Sequence, residues 1–397
     1  MDAVLGDCSL ARLRTRKSHK WRTYPPDVLP AFVAEMDFTV AEPIADAVRA
    51  ALASGDTGYP HIGELGEAFA AFAAGRLGWA PRPDWVFAVP DVMTAIAEVL
   101  LATTPPGSGV VINPPVYGPF FLRLRFIGRE IVAAPLRREA DGGYELDFEA
   151  LDHALARADV RAYLLCSPHN PVGQVWSSDH LHAIADLCLR HEVVLCVDEI
   201  HGPLVLPGAS FTSFGSLDHE MASRAFVFSS ASKGWNIPGV KCGLAVAGSA
   251  AAADLLTERW EALLASHLGV LASVAAFTEA VGWLDAVTAQ IAANSALLRG
   301  LLADRLPDVR YVPGAASFLA WLDCRALGLG DDPAAAFLDR GRVALTPGPS
   351  FGEQGAGFAR LNIGTSPELL TEAVSRMAAA VPVAGLAPLL SRCGACV

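Results

Sequence analysis

Val193-Val194-Leu195-Cys196-Val197-Asp198-Glu199-Ile200-His201 is five apolar residues closed by two carboxylates. The run is too short for a helix, is rich in β-branched residues, and is apolar at odd and even positions alike. It therefore reads as a strand buried on both faces. A helical pattern at 178–190 precedes it, and similar apolar runs fall at 109–113, 162–166, 225–229 and 243–247. Strands alternating with helices give βαβ units, so the expectation is an α/β chain with a mostly parallel central sheet. In such sheets ligands sit at the carboxyl ends of the strands. The residues found there are the least core-like of the chain: Asn113-Pro114-Pro115-Val116-Tyr117, Ser167-Pro168-His169-Asn170-Pro171, Asp198-Glu199-Ile200-His201 and Ser230-Ala231-Ser232-Lys233.

An Asp after a strand is commonly a helix cap or a surface turn. Lys233 changes the reading, because Gly234-Trp235-Asn236-Ile237-Pro238-Gly239 cannot continue a regular helix beyond it. A lysine lodged in a partly desolvated pocket loses pKa and becomes an imine-forming nucleophile. Arg360, ahead of Leu361-Asn362-Ile363, has a bland reading as a solvated strand edge, while its guanidinium fork suits a carboxylate.

Length and composition bound the function. At about 150 residues per domain, 397 residues suggest two or three domains. The expected division is an arm at 1–45 (Pro25, Pro26, Pro30 and Pro43 weigh against a domain), a large domain at 46–285, and a smaller α+β domain at 286–397. In the last, 309–313, 318–323 and 343–346 read as strands after a long helical stretch at 255–302. The 30 basic and 42 acidic residues give a net charge of −12, which repels phosphate backbones and anionic membranes. No nucleic-acid or membrane partner is expected. The 52% apolar content points to a subunit interface. Met1-Asp2-Ala3-Val4 lacks signal-peptide features, and the scattered cysteines read as free thiols, so the cytoplasm is expected. Cys393-Gly394-Ala395-Cys396 has a dithiol spacing without a second Cys or His pair to complete a zinc site; a frayed tail and no metal are expected.

Taken together, the ordered set Asn170, Asp198, Ser230, Lys233, Lys241, Arg360 resembles the pyridoxal-phosphate (PLP) enzymes of the aspartate aminotransferase fold. Within them the chain is similar to the cystathionine β-lyase-like branch of C–S lyases, the MalY/PatB group. The markers are Lys20-Trp21, Val33-Ala34-Glu35-Met36-Asp37-Phe38, Gly58-Tyr59, Pro115-Val116-Tyr117, Pro168-His169-Asn170-Pro171, Asp198-Glu199-Ile200-His201, Ser232-Lys233, Phe351-Gly352 and Arg360-Leu361-Asn362. The chain departs from the branch at Pro313-Gly314-Ala315-Ala316-Ser317-Phe318 and at Ser167, which bears on substrate identity.

The resemblance implies that Lys233 is the catalytic residue that binds PLP, Asp198 pairs with the ring nitrogen, Asn170 reaches the ring oxygen and Tyr117 stacks on the ring. His201 is placed at the cofactor. The amides of Val92 and Met93 at a helix start would join Ser230, Ser232 and Lys241 at the phosphate. Tyr59 would reach the partner's phosphate in a homodimer. Arg360 and Asp37 are expected on the substrate side, while His169 and Trp235 could equally be packing residues. The implied reaction begins when freed Lys233 takes the Cα proton of an amino acid, with PLP as electron sink. A thiolate on Cβ then leaves, and the aminoacrylate that remains is hydrolysed by water to pyruvate and ammonia. Transamination and decarboxylation-linked deamination are alternatives open to the same residues, as is a regulatory role through a binding partner.

Overall fold

The computed structural model describes residues 3–260 and 263–382; Cys393 and Cys396 lie outside them. Its larger sheet has seven strands: β1 (Val86–Val89), β2 (Gly109–Ile112), β3 (Glu130–Ala133), β4 (Val160–Cys166), β5 (Val194–Asp198), β6 (Phe226–Ser229) and β7 (Gly243–Ala247), in the spatial order β1-β7-β6-β5-β4-β2-β3. The pairs from β3 to β6 are parallel, and β7 runs against both of its neighbours. The mostly parallel sheet of the expected fold is therefore present.

Burial explains the uninterrupted apolar runs. Tyr163, Leu165, Leu195, Val197 and Val227 enter one core cluster, whereas Ala162, Leu164, Cys166, Cys196, Phe226 and Phe228 enter another. Successive side chains leave a strand on opposite faces, so every position must be apolar when helices cover both faces. The helix Val92–Thr103 packs on the second face across β5, β6 and β7, which carries its first turn to the ends of those strands.

The smaller sheet is antiparallel and runs Arg310–Tyr311, Leu319–Asp323, Phe358–Asn362, Thr346–Pro347. The expected strand at 343–346 is split, because Val343–Ala344 instead pairs with Leu29–Pro30. The proline-rich beginning of the chain is thus tied to the C-terminal unit. The expected continuous helix at 255–302 is also corrected. Three helices occur, Ala250–Trp260, His267–Thr278 and Val281–Arg305, and the last two meet at 77°. His267–Thr278 is packed against Glu42–Ser54 and Leu65–Arg76, while Val281–Arg305 runs along Pro367–Ala380, so one straight rod could not serve both. Of the strands that escaped the sequence reading, three did so for plain local reasons. Val86–Val89 has four residues, Glu130–Ala133 is a half-exposed edge, and Phe358–Asn362 carries Arg360 and Asn362 within it.

Candidate active site

The ends of β4, β5 and β6, the loop before β7, the turn after β1 and the N-terminal segment close around a cavity of about 320 Å³. Asp198 is the last residue of β5, where its carboxylate leaves the sheet on the face of Cys196. Its side chain accepts one hydrogen bond, from the Ile200 amide at 3.1 Å. Burial raises its pKa to about 7, against the opposing pull of that amide and of Lys233. A buried carboxylate with so little compensation calls for a cationic partner.

Lys233 stands in the single turn Ala231–Gly234 after β6, and its Nζ donates to the Ala34 carbonyl at 2.9 Å. Desolvation, followed by the positive charge of Arg360, lowers its pKa to about 8; Glu35 and Asp198 act the other way. Near neutral pH such an amine gives up and takes back a proton readily.

An anion cradle lies at one end of the cavity. Val92 and Met93 line it from the first turn of Val92–Thr103, where amides lack intrahelical partners. Asp91 caps that helix, accepting from the Thr94 amide at 2.9 Å, and pairs with Lys241 Nζ at 3.0 Å. A Cβ at Gly243 would lie 2.8 Å from the Val92 nitrogen, so the approach of β7 to this helix start requires glycine. Ser230 and Ser232 also line the cradle, although the Ser230 hydroxyl is engaged with the Cys242 carbonyl at 2.6 Å.

Arg360 is outside the residues that line the cavity and is joined to them through Asn170; it lies inside the small sheet rather than on an exposed edge. It donates to Asn170 Oδ1 at 3.0 Å, Thr346 Oγ1 at 3.2 Å and the Phe32 carbonyl at 3.3 Å, and stands over the Phe351 ring at 4.9 Å. Its Nε is buried without a partner, and no carboxylate pairs with it among the described residues. Burial lowers its pKa to about 10. An anionic ligand would satisfy it.

These residues fit PLP. Asp198 would hold the ring nitrogen, Tyr117 the ring face and the Asn170 amide the ring oxygen, with the helix start and Lys241 at the phosphate and Lys233 at the aldehyde. Tyr117, Asn170, Ser230, Ser232, Lys241, Val92, Met93, His201 and Lys233 all line this one cavity.

Residues 33–377 match the model for the aminotransferase class I and II family. The chain belongs to that family. A Mycobacterium leprae protein provisionally named a cystathionine beta-lyase is 43% identical to this family member, over 95% of this chain and 98% of its own. The cystathionine beta-lyase PatB of Bacillus subtilis is 36% identical over 89% and 93%. The crystal structure of cystalysin from Treponema denticola, which contains pyridoxal 5'-phosphate, superposes with a TM-score of 0.88 at 28% identity, covering 92% and 97% of the two chains.

Not every expected residue joins the aminotransferase-family cavity. Asp37 does not: its Oδ1 is closed by Lys20 Nζ at 2.8 Å, with both side chains buried, and no substrate group could reach it without breaking that pair. Tyr59 is 90% exposed and lies outside its own chain's cavity. Trp235 is core, edge-on to Phe72 and Phe277 and donating to the Ala280 carbonyl. His169 packs on Trp176 with Nε2 2.9 Å from the Pro115 carbonyl. His201 lines the cavity, and burial with the charges of Lys233 and Arg360 lowers its pKa to about 3, so it is neutral. Sequence reasoning missed Ala34, Asp91, Arg123 and Cys166 as cavity residues. The Asp91–Thr94 spacing is a legible capping signal; Arg123 carries none, since a helix surface offers many arginines.

Proposed function

We propose that the chain is a PLP-dependent C–S β-lyase that cleaves S-substituted L-cysteine to thiol, pyruvate and ammonia. The observation that carries the reading is one cavity lined by a buried Asp198, with no ion-pair partner among the described residues, and by a Lys233 amine with a pKa near 8, beside a buried Arg360 without a counter-ion that is bonded to the lining residue Asn170. Support also comes from the relatives named cystathionine beta-lyase, which match over nearly their whole length.

Bound PLP supplies the sink for the electron pair left at Cα. Arg360 holds the substrate carboxylate, and its bond to Asn170 keeps that end of the substrate in line with the cofactor-binding loop. Lys233 takes the Cα proton, and neutral His201 leaves that task to it. Asp198 holds the ring-nitrogen proton. Half-buried Tyr117 and buried Phe120, edge to face at 5.7 Å, shield one side from water. A thiolate with a pKa near 8.5 leaves Cβ far more readily than hydrogen or alkyl, so elimination outruns transamination on thioethers.

The same proposal includes a homodimer in which Tyr59 reaches the partner's cradle, since this exposed aromatic has no partner within its own chain's cavity. It also places the enzyme in the cytoplasm, in accord with the described cysteines, which are free and buried. Among the described residues no single helix is long and apolar enough to cross a membrane. The test is to incubate the holoenzyme with cystathionine and S-alkyl cysteines while following pyruvate, thiol and keto acid separately. Equal pyruvate and thiol without an added keto acid is expected. Faster turnover of alanine or aspartate with 2-oxoglutarate would assign an aminotransferase instead.

A further inference from the structure

Residues 32–38 form a strap without helix or strand between Leu29–Pro30 and the helix Glu42–Ser54. Its backbone must find partners elsewhere, and it finds them in side chains from distant parts of the chain. Asn362 Nδ2 donates to the Val33 carbonyl at 2.8 Å and the Glu35 carbonyl at 2.7 Å. Asn236 brackets Met36, accepting from its amide and donating to its carbonyl, both at 2.8 Å. The Asp37 amide donates to the Gly364 carbonyl at 2.8 Å. Between these anchors the Ala34 carbonyl accepts from Lys233 Nζ, while the Phe32 carbonyl accepts from Arg360. One strap thus touches both the proton-carrying amine and the carboxylate-binding guanidinium.

Lys20 fastens the strap from outside the cavity. Its ammonium is almost fully buried and bridges two points, the Asp37 carboxylate at 2.8 Å and the Glu35 carbonyl at 3.0 Å. A buried ion pair gives little net stability over an apolar pair of similar volume. What an apolar pair cannot do is supply the second donor to the Glu35 carbonyl, which Lys20 and Asn362 grip from two sides and through which they set the direction of the Ala34 carbonyl one residue earlier.

We propose that Lys20 and Asp37 are positioning residues for Lys233, fixing through the strap the carbonyl on which the free lysine amine rests between proton transfers. The inference rests on the assignment of Lys233 as the proton-carrying amine. Its test uses cofactor-free full-length protein, so it fails or succeeds independently of which reaction the holoenzyme performs. Lys233 acylation by an N-hydroxysuccinimide ester is followed against pH by peptide mass spectrometry, alongside amide hydrogen exchange of 33–38. In the wild type the midpoint is expected near 8. In K20M/D37L the strap amides exchange faster and the midpoint falls by about half a pH unit or more, because the ammonium loses its acceptor while desolvation and Arg360 remain. If that variant does not fold, Asn362→Leu, which frees the Val33 and Glu35 carbonyls from the other side, must move the midpoint the same way. Faster strap exchange with an unmoved Lys233 midpoint overturns the proposal and leaves the pair a purely structural rivet.

Discussion

Arg360 Nη1 donates to Asn170 Oδ1 at 3.0 Å, joining the middle strand of the small sheet to the loop after β4 across 190 residues of sequence. The proposed substrate clamp and the proposed cofactor loop are therefore one hydrogen-bonded unit, and neither residue's rotamer is independent of the other.

Arg360→Lys keeps the charge and loses the planar fork. The KM for S-substituted cysteines should rise by about 10-fold or more, with a smaller loss in kcat. Because the two groups share a bond, Arg360→Ala and Asn170→Ala should combine non-additively in kcat/KM. Steady-state kinetics on the four proteins checks this; strict additivity would mean that the bond has no functional weight.

Holoenzyme supplied with PLP should absorb in the visible, and Lys233→Ala should lose that band because the imine-forming amine is gone. An absorption spectrum after gel filtration decides it. A colourless wild type would count against the assignment of this cavity to PLP.

The buried carboxyl of Asp198 makes stability depend on pH in the cofactor-free protein. Its folded-state pKa of about 7 lies above the ordinary 3.8, so its contribution is fully present below about 3.8 and is lost as pH rises through 7. Asp198→Asn should then be the more stable cofactor-free protein at pH 8, by roughly 2–4 kcal/mol, with the gap closing towards pH 4. The same variant should retain PLP poorly, having lost the partner of the ring nitrogen. Urea melts at both pH values check the sign; a wild type more stable than the variant at pH 8 would show that the carboxylate has a cation in the cofactor-free state.

Tyr59→Phe removes one hydroxyl from a 90% exposed ring. In a homodimer with shared sites, PLP dissociation should quicken by about 10-fold, as for one lost hydrogen bond to a charged group, with the thermal midpoint nearly unchanged. Sedimentation of an active monomer would remove the basis for this expectation.

The α/β architecture, the strand ends and the positions of Asp198 and Lys233 were legible because burial on both sheet faces forces uninterrupted apolar runs, and a polar residue closing such a run stands out. Ser230 stood at a strand end by the same rule, whereas Lys241 and the Val92–Met93 turn were implied by the family resemblance. Asp37 misled for the opposite reason: it sits in a stretch shared with the C–S lyase branch, but what a carboxylate does depends on which cation reaches it, and Lys20 does so only once residues 17 positions apart are folded together. The break between His267–Thr278 and Val281–Arg305, the inward placement of Arg360 and the strap over Lys233 likewise came from tertiary structure. Local sequence sets periodicity and capping, whereas which distant side chain satisfies a buried backbone group or charge is decided by the packing of the whole chain.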